Sequence, residues 1–131
     1  MSISKQKSLL LILILVFLDQ AIKAVALKYF QTTCNPGSAF GLPITNVFIT
    51  VFILALISVF VFKNRNRFNN LPLALILAGG FSNLIDRFFR GCVLDFVNFK
   101  VWPSFNLADS AITIGALLLI LNMLKTKKHE A

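Results

Sequence analysis

The chain of 131 residues is 57% hydrophobic and 14% charged, with 13 lysines and arginines against five acids and a formal net charge of +8. Soluble domains carry about 25% charged residues, so a soluble enzyme and a disordered tail are both excluded. Two cysteines are too few for a disulfide framework or a zinc-finger pattern. The composition therefore predicts a membrane protein, and the length predicts a single domain over residues 1–131.

Four apolar stretches follow one another along the chain, and each can form a membrane-spanning helix of ~20 residues. They cover residues 8–27, 44–62, 71–89 and 108–124. The first begins after Lys5 and Lys7, as a signal peptide does. It has no small-x-small cleavage site and continues through Asp19, so we interpret it as an uncleaved span. The third is short if it stops at Ile85, and its extension to residue 89 gives it a polar last turn.

The basic residues outside the spans are distributed unevenly. With four spans, eight of them lie on the side of the two termini, where the one acid is Glu130. The positive-inside rule then places both termini in the cytoplasm. Topology thus accounts for most of the positive charge. Because no basic stripe alternates with exposed aromatic residues, no nucleic-acid partner is predicted.

Polar side chains concentrate in the outer halves of the predicted spans. Asp19 lies ~16 Å into the first span, at ~1.5 Å per residue, and Lys23 lies one turn further out. The other side chains predicted at this level are Asn83, Asp86, Asn106 and Asp109. With Asp95 in the outer segment before the fourth span, four of the five acids therefore lie at or just beneath the outer membrane face. Ionisable groups are costly inside spans and usually mark a function.

Structural interpretations of these side chains stay open beside the functional one. Asp19 and Lys23, spaced i and i+4, can form a simple ion pair on one helix. Asp86 can pair with its neighbour Arg87, and Asp109 can cap the fourth helix.

The outer segments leave further alternatives. Asp95 alone is a solvated loop carboxylate, and Asn35 to Gly37 can be an ordinary turn. Cys34 and Cys92 fall on the same outer side, where a disulfide can form, but unpaired thiols are the expectation that the sequence favours.

The side-chain inventory limits the chemistry that this cluster can support. The body of the chain has no histidine, which excludes Ser-His-Asp and Cys-His nucleophiles, and neither a metal nor a cofactor is predicted. Two aspartates that share a proton can hydrolyse an amide without a metal. The four outer aspartates allow six pairs, and composition does not choose among them.

Two other functional classes stay open at this point. One is a homodimeric four-span transporter that uses Asp19 or Asp86 for proton coupling. It would need polar groups through the inner half of the bilayer, where few are found (Ser58 and Asn122). The other is a non-enzymatic membrane assembly factor, which would depend on no single carboxylate.

Five short motifs occur in order along the chain and together resemble one known family. They are DQAIK at 19–23, NPGSAFG at 35–41, GGFSNLIDR at 79–87, GCVLDF at 91–96 and FNLADS at 105–110. Together they resemble the signature motifs of lipoprotein signal peptidase (signal peptidase II), over more than two thirds of the chain. The outer segments after Phe40 and Phe96 are shorter than is usual in that family, and Ser38 stands where the family often has alanine.

The resemblance implies a multi-pass aspartic endopeptidase of the bacterial inner or cytoplasmic membrane. Such enzymes remove the signal peptide of diacylglyceryl-modified prolipoproteins by cutting just before the lipidated cysteine. The implied fold is an all-α membrane protein of four transmembrane helices, with a small extracytoplasmic β-cradle formed by residues 29–43 and 91–106. Its expected partners are prolipoprotein substrates and membrane lipid, and the chain is expected to be monomeric.

The resemblance also assigns roles to individual residues. It implies that Asp95 and Asp109 form the catalytic pair at the extracytoplasmic face and that Asp86 is structural. The supporting and substrate-binding residues that it implies are Asp19, Lys23, Asn35, Gly37, Asn83, Arg87 and Asn106.

Overall fold

The protein is mostly helical in the computed structural model, which describes residues 3–36, 43–63 and 70–130. The elements in chain order are α1 (Lys5–Tyr29), β1 (Thr33–Asn35), α2 (Pro43–Lys63), α3 (Asn70–Arg90), β2 (Val93–Asp95) and α4 (Leu107–Glu130). Each stretch predicted to span the membrane lies inside one of the four helices. Helix α4 continues beyond its predicted span into the basic C-terminal segment.

Three of these helices are long and apolar enough to cross a membrane, namely α1, α3 and most of α4. In α2 the apolar part found among the described residues is shorter, Val47–Phe60. The predicted helical character is therefore confirmed, and three of the helices have the length and composition of membrane spans.

Helix α3 occupies the centre of the bundle and packs against each of the other three helices. Two adjacent glycines of α3, Gly79 and Gly80, allow this close packing because they face different neighbouring helices. A Cβ added to Gly79 would collide with the carbonyl oxygen of Ala108 in α4, and one added to Gly80 would collide with Leu54 in α2. At the opposite end of the same contact, a Cβ on Gly115 of α4 would come within 2.6 Å of the Pro72 carbonyl oxygen. Small residues let helix backbones approach closely in membrane proteins.

A two-stranded antiparallel sheet lies at the end of the bundle where α1 and α3 finish and α4 begins. Its register pairs Thr33 with Asp95 and Asn35 with Val93. Cys34 and Cys92 form a disulfide across the strands, with their Cα atoms 5.5 Å apart. The expectation of unpaired thiols was therefore wrong. The bond depends on the register of two segments that are 58 residues apart, which local sequence does not reveal.

The segment between β2 and α4 forms a closed loop. Gly91 ends α3 with a positive φ of 75°, a conformation that glycine adopts without steric cost. After β2, Val97 and Phe105 exchange backbone hydrogen bonds of 3.0 Å in both directions. This bridge brings the chain back to the start of α4, so that Asp95 and Asp109 lie just outside the two ends of the loop.

Candidate active site

Asp95 is the last residue of β2, and its side chain is almost completely buried, at 2% exposure. Two amides donate to its carboxylate: Asn106 Nδ2 to Oδ1 at 3.1 Å and Asn35 Nδ2 to Oδ2 at 3.5 Å. The strand register explains the second contact, because Asn35 pairs with Val93 and its side chain lies on the same face of the sheet as that of Asp95, two residues further along β2. Asp95 is therefore not the solvated loop carboxylate that its isolated sequence position suggests.

Asp109 lies in the first turn of α4 and is half-buried. Its backbone N–H donates to Asn106 Oδ1 at 2.8 Å, and its Oδ2 accepts from the Asn106 backbone N–H at 3.2 Å. This reciprocal pair is a capping box, so a capping role for Asp109 is confirmed. The other oxygen, Oδ1, accepts from Asn83 Nδ2 at 3.0 Å. The capping role thus uses only one of its two carboxylate oxygens.

The amide of Asn106 connects the two carboxylates. Besides Asp95, its Nδ2 lies 3.1 Å from Asn83 Oδ1 and 3.2 Å from the Leu94 carbonyl oxygen. The chain of contacts therefore runs from Asp95 through Asn106 and Asn83 to Asp109. Burial raises the pKa of Asp95 to about 6, and the negative charge of Asp109 acts in the same direction. Such a carboxyl can hold a proton in a pH range where an ordinary aspartate is ionised.

Asp19 and Asp86 form a second cluster around Lys23, which Asn83 links to the first. The Lys23 ammonium lies 2.6 Å from Asp19 Oδ2 and 2.8 Å from Asp86 Oδ2, and all three side chains are buried. It also donates to Asn83 Oδ1 at 3.4 Å. The predicted ion pair between Asp19 and Lys23 is confirmed, although it belongs to a larger network. Buried charges persist only when they are paired and hydrogen-bonded, and this cluster meets both conditions.

The same two carboxylates fix backbone segments beside the site. Asp19 Oδ1 accepts from the Ala108 N–H at 3.1 Å, which holds the first turn of α4. Asp86 Oδ2 accepts from the Leu94 N–H at 3.0 Å, which holds β2. The Lys23 cluster therefore positions the two elements that carry Asp95 and Asp109.

The partners of Asp86 differ from the predicted one. Its ion pairs in the described part of the chain are with Lys23 and with Arg90, whose Nη1 lies 2.6 Å from Oδ1, and not with the adjacent Arg87. Neighbouring residues on a helix point about 100° apart, so one turn of separation suits an ion pair better. Arg87 instead lines a groove with Asn83 and Asp109, and its Nε has no hydrogen-bond partner among the described residues.

Gln20, Ser82 and Arg90 belong to this network but were missed by the sequence reasoning. Gln20 Nε2 donates to Asp86 Oδ1 at 2.9 Å and to Ser82 Oγ at 3.0 Å. Ser82 Oγ in turn donates to Asp19 Oδ2 at 2.5 Å. Gln20 and Ser82 lie inside two of the motifs, and their polarity within apolar spans was the available signal. Gly37, also predicted at the site, lies outside the described residues.

Two grooves meet at Asp109. One, of about 290 Å³, runs between α2, α3 and α4 and is lined by Leu54, Ile76 and Arg87 among others. The second, of about 480 Å³, lies between α4 and the segment from Trp102 to Phe105. Both have mainly apolar walls with the carboxylate at their junction. No three His, Cys, Asp or Glu side chains within the described ranges group as metal ligands would.

Comparisons with known proteins agree on one family. Residues 11–125 match the family described as Signal peptidase (SPase) II. A lipoprotein signal peptidase of Halothermothrix orenii is 34% identical over an alignment covering 91% of this chain and 96% of the relative. One from Pelotomaculum thermopropionicum is 43% identical over 78% of this chain and 74% of the relative.

Solved structures extend the likeness to the fold. A bacterial membrane enzyme determined by the in meso method at 2.3 Å superposes with a TM-score of 0.85 and 28% identity, over 99% of this chain and 94% of the other. A second such enzyme, determined at 1.9 Å, gives a TM-score of 0.82 and 29% identity. The chain belongs to the signal peptidase II family and is a membrane peptidase.

Proposed function

We propose that this peptidase removes the signal peptide of diacylglyceryl-modified prolipoproteins by cutting on the N-terminal side of the lipidated cysteine. The names of its relatives support prolipoproteins as the substrate class. In this proposal Asp95 and Asp109 activate the attacking water. The observation that carries it is the contrast between two pairs of carboxylates. Asp19 and Asp86 are each ion-paired with Lys23, whereas the contacts of Asp95 and Asp109 in the described residues are with amides.

The reaction needs one carboxylate and one carboxylic acid, and the pair can supply both when it holds a single proton. The carboxylate takes a proton from water as the water oxygen bonds to the scissile carbonyl carbon. The carboxylic acid gives its proton to the carbonyl oxygen. When the tetrahedral intermediate collapses, the C–N bond breaks and the departing nitrogen receives a proton from one aspartic acid. A hydroxyl of the intermediate returns its proton to the other aspartate, so the pair again holds one proton. The pair titrates as a unit, so neither step belongs permanently to one aspartate.

The surrounding residues take supporting roles in this proposal. Asn83 and Asn106 orient the two carboxylates through the contacts described above, and Asn35 stabilises the ionised form of Asp95. Arg87 lines the groove at Asp109, so its guanidinium can bind a substrate carbonyl or a lipid headgroup oxygen. Asp19 and Lys23 support the site from within the bundle, Gly37 belongs to the outer segment, and Asp86 is structural.

The membrane topology belongs to the same proposal. Residues 1–131 form one domain with four spans, cytoplasmic termini, and a β-cradle built from residues 29–43 and 91–106. The antiparallel pairing of β1 with β2 supports the cradle, since it joins these two segments. A monomer in the bacterial cell membrane, with its site at the extracytoplasmic face, would meet a lipid-anchored substrate at the bilayer surface. Membership in a peptidase family sets aside the transporter and assembly-factor alternatives.

The test is cleavage of a purified diacylglyceryl-modified prolipoprotein, followed by the gel shift of the product. We expect cleavage by the wild type and none by Asp95→Asn or Asp109→Asn. Asp19→Asn is the matched control, since it removes a carboxylate from the neighbouring cluster and should keep residual cleavage. Normal cleavage by both dyad variants would overturn the assignment. Loss of cleavage in Asp19→Asn but not in Asp95→Asn would instead assign the catalytic carboxylate to the first helix.

A further inference from the structure

The loop between Val97 and Phe105 presents an apolar tip at the end of the molecule that carries the candidate site. Three large apolar side chains of this loop are exposed: Phe99 at 67%, Val101 at 92% and Trp102 at 69%. These residues lie outside the helices, so contact between spans and lipid does not explain their exposure.

The tip is held in a defined shape. Val97 and Phe105 close its base with two backbone hydrogen bonds, and the Phe99 and Phe105 rings lie 6.0 Å apart. Lys100 takes a positive φ of 65°, which is unfavourable for a residue with a side chain. Its N–H donates to Asn98 Oδ1 at 2.8 Å, which stabilises this turn. The exposed residues are therefore presented by an ordered loop.

The charges at this end of the molecule favour one kind of partner. The exposed charged side chains of the described residues here are Lys28 and Lys100, and both are basic, whereas the partly exposed Arg90 is ion-paired with Asp86. The acids at the same end are buried or half-buried within the two clusters described above. A surface with apolar groups next to positive charge complements a phospholipid interface, where anionic phosphates border the acyl chains.

We propose that residues 98–104 dip into the lipid interface at this end of the bundle, with Val101 and Trp102 among the acyl chains and Lys100 at the phosphates. The loop follows β2 and leads into α4, so it lies at the level where the membrane helices end. Tryptophan is enriched at this depth in membrane proteins. Because Asp95 and Asp109 flank the loop, its insertion sets the height of both carboxylates above the acyl region. The insertion itself does not rest on the proposed catalytic roles.

The chain provides its own probe, because Trp102 is its one tryptophan. The full-length protein is reconstituted in vesicles of phosphatidylcholine and phosphatidylglycerol that contain lipids brominated at different acyl depths. We expect the bromines nearest the headgroup to quench Trp102 most strongly and aqueous acrylamide to quench it weakly. Trp102→Phe measures the background signal.

Two other outcomes would each overturn the proposal. Strong acrylamide quenching without bromine quenching would place the tip in water. Quenching by neither agent would mean that protein covers it. Val101→Asp should roughly halve the quenching by lipid bromines, because charge opposes insertion, whereas Val101→Leu should leave it unchanged. Since Val101 is 92% exposed, neither substitution disturbs packing. The assay requires no cleavage, so its failure is distinct from failure of the proposed function.

Discussion

Asn106 and Asp109 hydrogen-bond to each other in both directions, and the side chain of each accepts from the backbone N–H of the other. The start of α4 and the position of a candidate catalytic carboxylate are therefore determined by the same contact. The amide nitrogen of Asn106 is left to reach Asp95, so one asparagine both begins the helix and joins the two halves of the site.

Substitution of Asn106 should separate helix capping from the alignment of the two carboxylates. Asn106→Ser keeps an oxygen for the cap but loses the amide that contacts Asp95, whereas Asn106→Ala loses both. We expect both variants to cleave at least tenfold more slowly, because an oriented donor beside the reacting groups is missing. The alanine variant should be less stable than the serine variant by about 1 kcal/mol. Cleavage rates and thermal unfolding in detergent measure the two effects, and wild-type activity of the serine variant would contradict the bridging role.

The pH dependence of cleavage should report the raised pKa of Asp95. If the pair is active while it holds one proton, the rate should fall as pH rises through the pKa of Asp95, about 6. The hydrogen bond from Asn35 favours the ionised form, so Asn35→Ala should raise this pKa and move the falling limb to higher pH. Asn98→Ala, in the exposed loop, is the control and should leave the limb in place. If the falling limb of the Asn35→Ala profile moved to lower pH instead, this mechanism would be contradicted.

Reduction of the disulfide should weaken the sheet that brings Asn35 to Asp95. A closed loop of this length is expected to contribute about 2–4 kcal/mol. We therefore expect a reductant to lower the unfolding temperature of the wild type and to reduce its cleavage rate. The Cys34→Ser/Cys92→Ser double variant should resemble the reduced wild type and should not respond to reductant. An equal response of both proteins would show that the reductant acts elsewhere.

Gly79 and Gly115 lie at opposite ends of the contact between α3 and α4, and only Gly79 is near the site. Gly79→Ala would push Ala108 away and so separate Asp109, the residue after Ala108, from Asn83, which lies one turn beyond Gly79 on α3. Gly115→Ala creates a similar clash with Pro72, far from the carboxylates. We expect both to lower stability by about 1–3 kcal/mol. Only Gly79→Ala should also slow cleavage, measured as the rate per amount of folded protein that stays in solution after aggregates are removed.

Lys23 neutralises two buried carboxylates, so its removal should be among the most damaging changes in the chain. Lys23→Met keeps the length of the side chain but leaves Asp19 and Asp86 without their shared cation. We expect a loss of about 3–5 kcal/mol in SDS unfolding titrations. The double variant Asp19→Asn/Lys23→Met should regain part of this loss, because one unpaired charge is gone. No recovery would mean that Lys23 acts mainly through Asp86.

Sequence reasoning located the helices well because apolar run length depends only on local composition. It also predicted the depth of the polar cluster in the membrane, since the number of residues along a helix gives the distance along its axis. It does not give the direction in which a side chain points around each helix. That is why Lys23, on another helix, was not recognised as a partner of Asp86, although the i, i+4 spacing of Asp86 and Arg90 could have indicated that pair. Gln20 and Ser82 were missed for the same reason, because their importance comes from contacts between helices.

The outer segments were less predictable still. Strand register fixes the Cys34–Cys92 bond and the contact between Asn35 and Asp95, and three-residue strands carry little periodicity from which register can be inferred. The family motifs selected Asp95 and Asp109 from six possible pairs. The different partners of the two sets, amides for Asp95 and Asp109 and the Lys23 ammonium for Asp19 and Asp86, became visible only in the structure.

The ion pairs of the buried network also bear on how the protein is assembled. Asp19 and Lys23 lie one turn apart on α1, and Asp86 and Arg90 lie one turn apart on α3. Each helix can therefore enter the bilayer carrying its own counter-ion, without waiting for the other to arrive. When the two helices associate, Lys23 gains Asp86 as a second partner, and this exchange couples helix association to completion of the site. Insertion and assembly can thus proceed as two successive steps, in both of which Asp19, Lys23, Asp86 and Arg90 keep an opposite charge beside them.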